Sequence, residues 1–195
     1  MNINTMIFNA INGLANHNIV LDKLMIVFSN YVPDIFMATL AVTYIIGLVT
    51  MNEKMRVITV DTFMITILNL LLSFVIGAFW YVPRPFVNNK VNLLMPHTID
   101  ASFPSDHAIG TMSIAVGVNK WNKVYGRLLI MLSIIVGISR VFVGHHYPSD
   151  VIGGYAIVFV TSFLYDRFLK NIVQTTYFKI EGLLANRFPV LKQFR

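Results

Sequence analysis

Two long stretches without a charged side chain constrain the fold of this chain more than any other feature. Residues 35–52 and 62–83 contain no Asp, Glu, Lys or Arg. A helix needs about 20 mostly apolar residues to cross the hydrocarbon core of a bilayer, and both stretches have that length. Three shorter uncharged runs, at 107–119, 128–139 and 151–165, approach it once the charged residues at their ends are included. The pattern predicts five membrane-spanning helices, at about 33–51, 56–80, 105–119, 126–143 and 149–170.

The composition favours a membrane protein over a soluble one. Charged residues make up 12% of the 195 residues and hydrophobic residues 56%, with a mean hydropathy of +0.67, whereas soluble domains carry about 25% charged residues. A soluble helical bundle would also need polar outer faces at helical spacing, which residues 62–80 and 128–139 lack. These values exclude a disordered chain as well. The sequence therefore predicts an all-α fold, a polytopic membrane helix bundle that forms a single domain over residues 1–195.

The two ends of the chain differ from its apolar middle, residues 33–170. Residues 1–32 carry apolar side chains at helical spacing with polar residues between them, but neither half is apolar enough to span. This pattern predicts two amphipathic helices that lie in the membrane interface, with Pro33 in the first turn of the spanning helix that follows. Residues 171–195 alternate apolar and basic residues and are interpreted as a cytoplasmic tail, either a surface-lying helix or a loose end.

The positions of the basic residues predict how the chain is oriented. Eleven of the fifteen Lys and Arg residues lie in the turns at 51–56 and 120–127 or from residue 167 onward, at and beyond the end of the last predicted span. The positive-inside rule places these segments in the cytoplasm, so five crossings leave the N-terminus outside. The net charge of +6 is then explained by topology and by attraction to anionic lipid head groups, and no nucleic-acid partner is expected.

Three polar clusters fall at ends of predicted spans that this topology places on the extracytoplasmic side. They are residues 81–86, 103–107 and 139–150, and together they contain two Arg, three His and two Asp at the edges of apolar helices. A single ionisable group at such an edge is often an anchor that reaches for water. Three clusters on the same face instead predict a functional site.

The residue types in these clusters suit a phosphate group. Arg84 and Arg140 have no nearby paired carboxylate in the sequence, and guanidinium groups bind the oxygens of phosphate two at a time. Ser105 falls at the expected N-cap of the third span, where free backbone N–H groups and the helix dipole add donors for an anion.

Two histidines and an aspartate complete a possible reaction centre. Asp150 falls in the first turn of the last span, just after His146, so its carboxylate can hold one imidazole nitrogen and leave the other nucleophilic. His107, one turn into the third span, can protonate a leaving oxygen. This arrangement predicts phosphoryl transfer through a phosphohistidine without a metal or cofactor. The adjacent His145 is interpreted as a polar rim residue with satisfied hydrogen bonds, because no Cys or acidic cluster joins it in a metal site.

These motifs resemble the three-part signature of the type-2 phosphatidic acid phosphatase superfamily. That signature reads Lys-x6-Arg-Pro, Pro-Ser-Gly-His and Ser-Arg-x5-His-x3-Asp, and its third part, from Ser139 to Asp150, is matched in full. The resemblance implies that His146 is the nucleophile, Asp150 its orienting partner and His107 the general acid. It further implies that phosphate is bound by Arg84, Ser105 and Arg140.

The chain departs from the signature at two positions. The family lysine falls at Gly77, and Lys90 and His97 are the candidates to replace it. The family glycine is replaced by Asp106, which either points away from the phosphate or helps to keep His107 protonated. With the sequence around His97 and residues 100–104, both departures resemble the bacterial undecaprenyl-diphosphate phosphatases linked to bacitracin resistance.

This closer resemblance implies a substrate. It predicts hydrolysis of undecaprenyl diphosphate to undecaprenyl phosphate and inorganic phosphate, outside the cytoplasmic membrane, in the recycling of the lipid carrier of cell-wall synthesis. Phosphatidic acid, phosphatidylglycerophosphate or another lipid phosphate are the alternative substrates. An anion permease is a further alternative, but it would need inverted repeats or broken helices with polar groups near the midplane, which the sequence does not show.

Overall fold

The computed structural model describes residues 2–187, which form nine α-helices, one π-helical turn and an isolated β-bridge between Pro83 and Ala101. The all-α prediction is confirmed. The helices are α1 (Ile3–Asn12), α2 (Ile19–Asn30), α3 (Val32–Val49), α4 (Glu53–Phe79), α5 (Pro85–Asn88), α6 (Asp106–Trp121), α7 (Lys123–Phe142), α8 (Pro148–Leu164) and α9 (Lys170–Arg187), with the π-helical turn at Tyr165–Leu169.

Four helical stretches are long and apolar enough to cross a membrane. They are Ile19–Val49, Glu53–Phe79, Lys123–Phe142 and Pro148–Arg187, which contain four of the five predicted spans. The remaining prediction, residues 105–119, corresponds to α6, which has 16 residues and is shorter than a full span. The protein is a multi-pass membrane protein in which α6 is the central helix, packed against α3, α4, α7 and α8.

Small residues let the neighbouring helices approach α6 closely. A Cβ atom at Gly117 would lie 2.2 Å from the side-chain oxygen of Thr62 on α4, so no larger residue fits there without moving α4. Ser113, one turn before Gly117 on α6, accepts a hydrogen bond from Asn69 of α4 at 2.9 Å. Close approach and buried interhelical hydrogen bonds of this kind are the usual means of joining helices in a membrane.

The two N-terminal helices predicted for residues 1–32 are present, and both begin at asparagine N-caps, Asn2 and Asn18. Helix α2 runs almost directly into α3, with only Tyr31 between them and Pro33 in the first turn of α3 as predicted. Both helices pack on α7, where Ala15 is buried together with apolar residues at the end of that helix. They thus form part of the protein core, and their position at the membrane interface stays a prediction.

The last helix extends well beyond its predicted end at residue 170. It continues through the π-helical turn into α9, which packs against α4. Tyr165 and Gln174 both donate hydrogen bonds to Asp61 of α4, at 2.9 and 2.7 Å. Arg56 of α4 forms an ion pair with Glu181 at 3.2 Å. The predicted tail is therefore a packed helix as far as residue 187, and residues 188–195 lie outside the described part.

Candidate active site

The three polar clusters predicted from the sequence meet at one end of the bundle. The connection between α4 and α6 supplies Arg84, α7 supplies Arg140, and the turn between α7 and α8 supplies His146. The Nη1 atom of Arg84 lies 3.0 Å from Nε2 of His146. Burial of all three side chains at 4% exposure or less means that their charges and dipoles act on each other with little screening by water.

His146 is held with one ring nitrogen bound and the other directed at an arginine. Its Nδ1 lies 2.8 Å from the carbonyl oxygen of Ser102, so Nδ1 carries the proton and donates it to that carbonyl. Nε2 then carries the unprotonated lone pair, which accepts a hydrogen bond from Nη1 of Arg84. Burial, with Arg140 and Arg84, holds the pKa of His146 well below 6.5. The imidazole is therefore neutral and its Nε2 is available as a nucleophile.

Asp150 does not bind His146 in the way the sequence predicts. Its Oδ2 lies 3.7 Å from Nδ1 of His146, beyond hydrogen-bond distance. That same oxygen accepts hydrogen bonds from the hydroxyl of Ser102 at 2.6 Å and from the backbone N–H of Tyr147 at 2.8 Å. The carboxylate thus reaches the imidazole through Ser102, because the carbonyl of that serine occupies the position next to Nδ1 that the prediction gave to Asp150.

Arg84 is fixed on both sides of its guanidinium group. Its Nε donates to Asp100 at 2.5 Å, and its Nη1 donates to the carbonyl of His145 at 3.2 Å as well as to His146. The loop that carries Asp100 is tied to the segment that carries Arg84, because the N–H of Ser102 donates to the carbonyl of Val82 at 2.7 Å. These contacts place an N–H donor directly beside the nucleophilic nitrogen.

Several buried polar atoms near this pair have no hydrogen-bond partner within residues 2–187. They include Nε and Nη2 of Arg140 and the hydroxyl of Ser105, which takes the predicted N-cap position of α6 without capping it through its side chain. A buried polar group without a partner is costly. Donors left open in this way suit a ligand with several oxygens, as a phosphate group has.

His107 lies in the first turn of α6 and is partly buried. Burial, with the charge of Arg140, lowers the pKa of His107 to about 3, and an anion bound beside these two residues would raise it again. The hydroxyl of Thr111 donates to the backbone carbonyl of His107 at 2.7 Å. The imidazole of His107 itself has no hydrogen-bond partner among the residues that the structure describes, so it is available to a bound molecule.

Asp106 is directed towards α4. Its Oδ1 accepts a hydrogen bond from Ser73 at 2.5 Å, in keeping with a carboxylate that points away from a phosphate. It lines a cavity of about 290 Å³ that also borders Gly77, Asp100 and Pro104. A Cβ atom at Gly77 would lie 3.1 Å from Cβ of Ala101, so the loop closes over the position of the family lysine. A substrate contact for Asp106 stays a prediction.

Of the two candidates to replace the family lysine, His97 lies beside the site and Lys90 is exposed. The ring centroid of His97 is 4.5 Å from that of His145, and Phe86 borders both rings at 6.4 Å. Burial, offset in part by a hydrogen bond with Thr98, lowers the pKa of His97. His97 is thus an uncharged neighbour of the arginines, and its contact with substrate stays a prediction.

The interpretation of His145 as a satisfied rim residue is wrong. The side chain is 1% exposed, its Nε2 is bonded to the carbonyl of Met95 at 3.0 Å, and its Nδ1 has no partner within the described range. Burial and the charge of Arg140 lower its pKa to about 3. Residues 2–187 contain no group of three or more His, Asp or Glu that could hold a metal ion.

The sequence analysis missed Ser102 and Ser29. Ser102 joins His146 to Asp150, and Ser29 of α2 accepts a hydrogen bond from Nη1 of Arg140 at 2.8 Å. Their partners lie 44 to 111 residues away along the chain, so no spacing pattern reveals them. Residues 100–103, which contain Ser102, enter the sequence analysis only through a family resemblance, and that resemblance assigns Ser102 no role.

The fold and the site define a polytopic helical membrane protein with a buried histidine and two buried arginines at one end of the bundle. The family model described as the PAP2 superfamily matches residues 59–173, and the chain belongs to this superfamily. It is 36% identical over 166 residues to the undecaprenyl-diphosphatase BcrC of Bacillus subtilis (strain 168), covering 85% of this chain and 84% of that protein.

Two further comparisons give a second relative and a solved structure with the same fold. The chain is 34% identical over 159 residues to a protein of Bacillus licheniformis named bacitracin transport permease protein BcrC, covering 81% of this chain and 76% of that one. The crystal structure of Aquifex aeolicus LpxE matches with a TM-score of 0.71 at 23% identity, over 86% of this chain and 97% of that chain. At that identity the match shows the shared fold.

Proposed function

We propose that this protein hydrolyses undecaprenyl diphosphate to undecaprenyl phosphate and inorganic phosphate. The observation that carries the proposal is the neutral, buried His146, whose Nδ1 is bound by Ser102 and whose Nε2 stands against Arg84. The substrate is supported by the Bacillus subtilis relative, which bears the name undecaprenyl-diphosphatase and is 36% identical over most of both chains.

The first half of the reaction transfers a phosphoryl group to the enzyme. Nε2 of His146 attacks the terminal phosphorus, and the bond from that phosphorus to the bridging oxygen breaks. His107, whose pKa the negative charge of the bound diphosphate raises so that it is protonated, gives its proton to that oxygen, and undecaprenyl phosphate leaves. The positive charge that develops on the imidazole is stabilised through the hydrogen bond from Nδ1 to Ser102, whose hydroxyl is bound to Asp150.

The second half releases phosphate and restores the histidine. A water molecule gives a proton to the now neutral His107 while its oxygen attacks the phosphohistidine, and the bond from phosphorus to Nε2 breaks. Throughout, the phosphoryl oxygens are bound by Arg84, by Nε and Nη2 of Arg140 and by the hydroxyl of Ser105. The donors of Arg140 and Ser105 have no protein partner within residues 2–187. These donors face the charge that builds up on the phosphoryl group.

The proposed location is the bacterial cytoplasmic membrane, with the site on the extracytoplasmic side. The support is the distribution of Lys and Arg, since Lys54, Lys120 and Lys123 lie at the end of the bundle opposite to His146. The substrate's lipid chain would remain in the bilayer while its diphosphate enters the site.

The test is the release of inorganic phosphate from undecaprenyl diphosphate by the purified protein. We expect release by the wild type, its loss in His146→Ala and His107→Ala, and its persistence in His17→Ala, which changes an exposed histidine outside the site. Activity of the wild type should survive EDTA. Full turnover by His146→Ala would overturn the proposal, and absence of turnover in the wild type would favour the anion permease.

A competition experiment separates the possible lipid substrates. Undecaprenyl diphosphate, phosphatidic acid and phosphatidylglycerophosphate would be offered together in mixed micelles, and the products quantified. We expect undecaprenyl diphosphate to be consumed first. Faster consumption of either of the other two lipids would make that lipid the proposed substrate. The proposed phosphohistidine chemistry would stay the same.

A further inference from the structure

Arg140 is held by a helix that lies outside the matched family region. The matched region covers residues 59–173, whereas Ser29 lies in α2. The hydroxyl of Ser29 accepts a hydrogen bond from Nη1 of Arg140 at 2.8 Å, and its backbone carbonyl lies 3.5 Å from the same nitrogen. Ser29 is fully buried and Arg140 is 2% exposed, so this contact is shielded from water.

We propose that Ser29 is a positioning residue that orients Arg140 for phosphate, an inference that rests on the proposed function. A guanidinium group has one edge at which Nε and Nη2 present parallel N–H bonds, and this edge binds two oxygens of one phosphate. In this protein Nη1 of Arg140 donates to Ser29, while Nε and Nη2 have no hydrogen-bond partner within residues 2–187. The serine thus holds the guanidinium by one nitrogen and leaves the two-pronged edge to the ligand.

Ser29 can perform this role because α2 is fixed against the end of α7. Asn18 caps α2 by accepting from the N–H groups of Val20 and Leu21. Further along α2, Met25 and Ile26 pack against the cluster that contains Phe142 and Val143, two and three residues beyond Arg140. The serine and the arginine are therefore carried by two helices that share one apolar contact.

Removal of the hydroxyl should weaken phosphate binding more than it weakens the fold. In Ser29→Ala, Nη1 loses its acceptor, and the buried guanidinium turns towards the nearest remaining one. We expect KM for undecaprenyl diphosphate and the inhibition constant of vanadate to rise about tenfold, as is usual for the loss of a hydrogen bond to a charged group. We expect kcat to change by less than about threefold, because the nucleophile and its partners are untouched.

Ser133→Ala is the matched control. Ser133 lies on the same helix as Arg140, is fully buried, and shares a hydrogen bond with Thr111 at 2.8 Å. Its removal costs a similar buried hydrogen bond without affecting Arg140, so we expect a similar loss of thermal stability and wild-type KM. If Ser29→Ala does not accumulate, Ser29→Cys keeps the side-chain size and offers only a weak acceptor, with the same expected kinetics.

The outcomes separate this inference from the proposed function. Equal KM and vanadate inhibition in the Ser29 and Ser133 variants would overturn the positioning role. Wild-type protein that releases no phosphate would overturn the function instead. In that case vanadate binding, measured as protection against thermal unfolding, still tests the inference: binding weakened by Ser29→Ala but not by Ser133→Ala supports it, and equal binding overturns it.

Discussion

At the scale of single residues, Ser102 has the most unexpected position. Its backbone carbonyl accepts a hydrogen bond from Nδ1 of His146, and its hydroxyl donates one to Asp150. The carboxylate of Asp150, 3.7 Å from Nδ1 of His146, can stabilise a positive charge on the imidazole through space, and Ser102 holds both groups in place. The backbone carbonyl remains whatever side chain is present, so a substitution of Ser102 breaks this connection without removing the acceptor of Nδ1.

Ser102→Ala should therefore lower kcat by about tenfold or more without abolishing activity. A hydrogen bond to a charged group contributes about 1.5–3 kcal/mol, and each 1.4 kcal/mol corresponds to a factor of ten in rate. The control is Ser149→Ala, because Ser149 also donates to Asp150, at 3.3 Å, but is exposed. Phosphate release in a single turnover measures both. A loss in Ser149→Ala equal to that in Ser102→Ala would contradict the role of Ser102.

At the scale of elements, the turn between α7 and α8 carries two buried, uncharged histidines. Burial lowers the pKa of His145 to about 3 and holds that of His146 well below 6.5. When the chain unfolds, both recover a value near 6.5 and take up protons below that pH. Their contribution to folding is therefore complete above pH 6.5 and is lost as the pH falls towards 3.

The midpoint of thermal unfolding should consequently be lower at pH 5 than at pH 7.5. His145→Gln removes one of the two proton acceptors and should show a smaller difference between these two pH values. His17→Gln changes an exposed histidine and should keep the full difference. The measurement is thermal unfolding of the purified protein in detergent. A difference in His145→Gln as large as that of the wild type would show that this turn does not govern the acid sensitivity.

The sequence predicts the helices of this protein better than it predicts their ends. Uncharged runs located the apolar helices because lipid excludes charge, but they do not report where helical structure stops. The final helix continues to Arg187 because Gln174 and Glu181 find Asp61 and Arg56 on α4, partners more than 100 residues away in the chain. The exact neighbours of His146 were beyond prediction for the same reason.

At the scale of the whole molecule, one end of the bundle carries the reactive groups and the other carries most of the basic residues. Ile99 lies in the connection on the first end and is 73% exposed, and Val124 lies at the opposite end of α7 from Arg140 and is 71% exposed. The sequence has no cysteine. Single cysteines at these two positions can therefore report the orientation without any background.

Ile99→Cys should react with a membrane-impermeant maleimide in intact cells, and Val124→Cys should react only after the membrane is permeabilised. The expectation follows from the positive-inside rule, which places Lys120 and Lys123 in the cytoplasm. The similar exposure of the two sites makes each the control for the other. The reverse labelling pattern would place the phosphate site in the cytoplasm.

The shortness of α6 has a consequence for how a ligand reaches the protein. A helix of 16 residues is about 24 Å long, whereas the oily interior of a bilayer is about 30 Å thick. If Lys120 is in water at one end of α6, we expect the tip that bears Ser105 and His107 to lie below the glycerol groups of the opposite leaflet. We therefore expect a lipid-anchored headgroup to sink into the molecule from the side, and water-soluble phosphate esters to be turned over slowly.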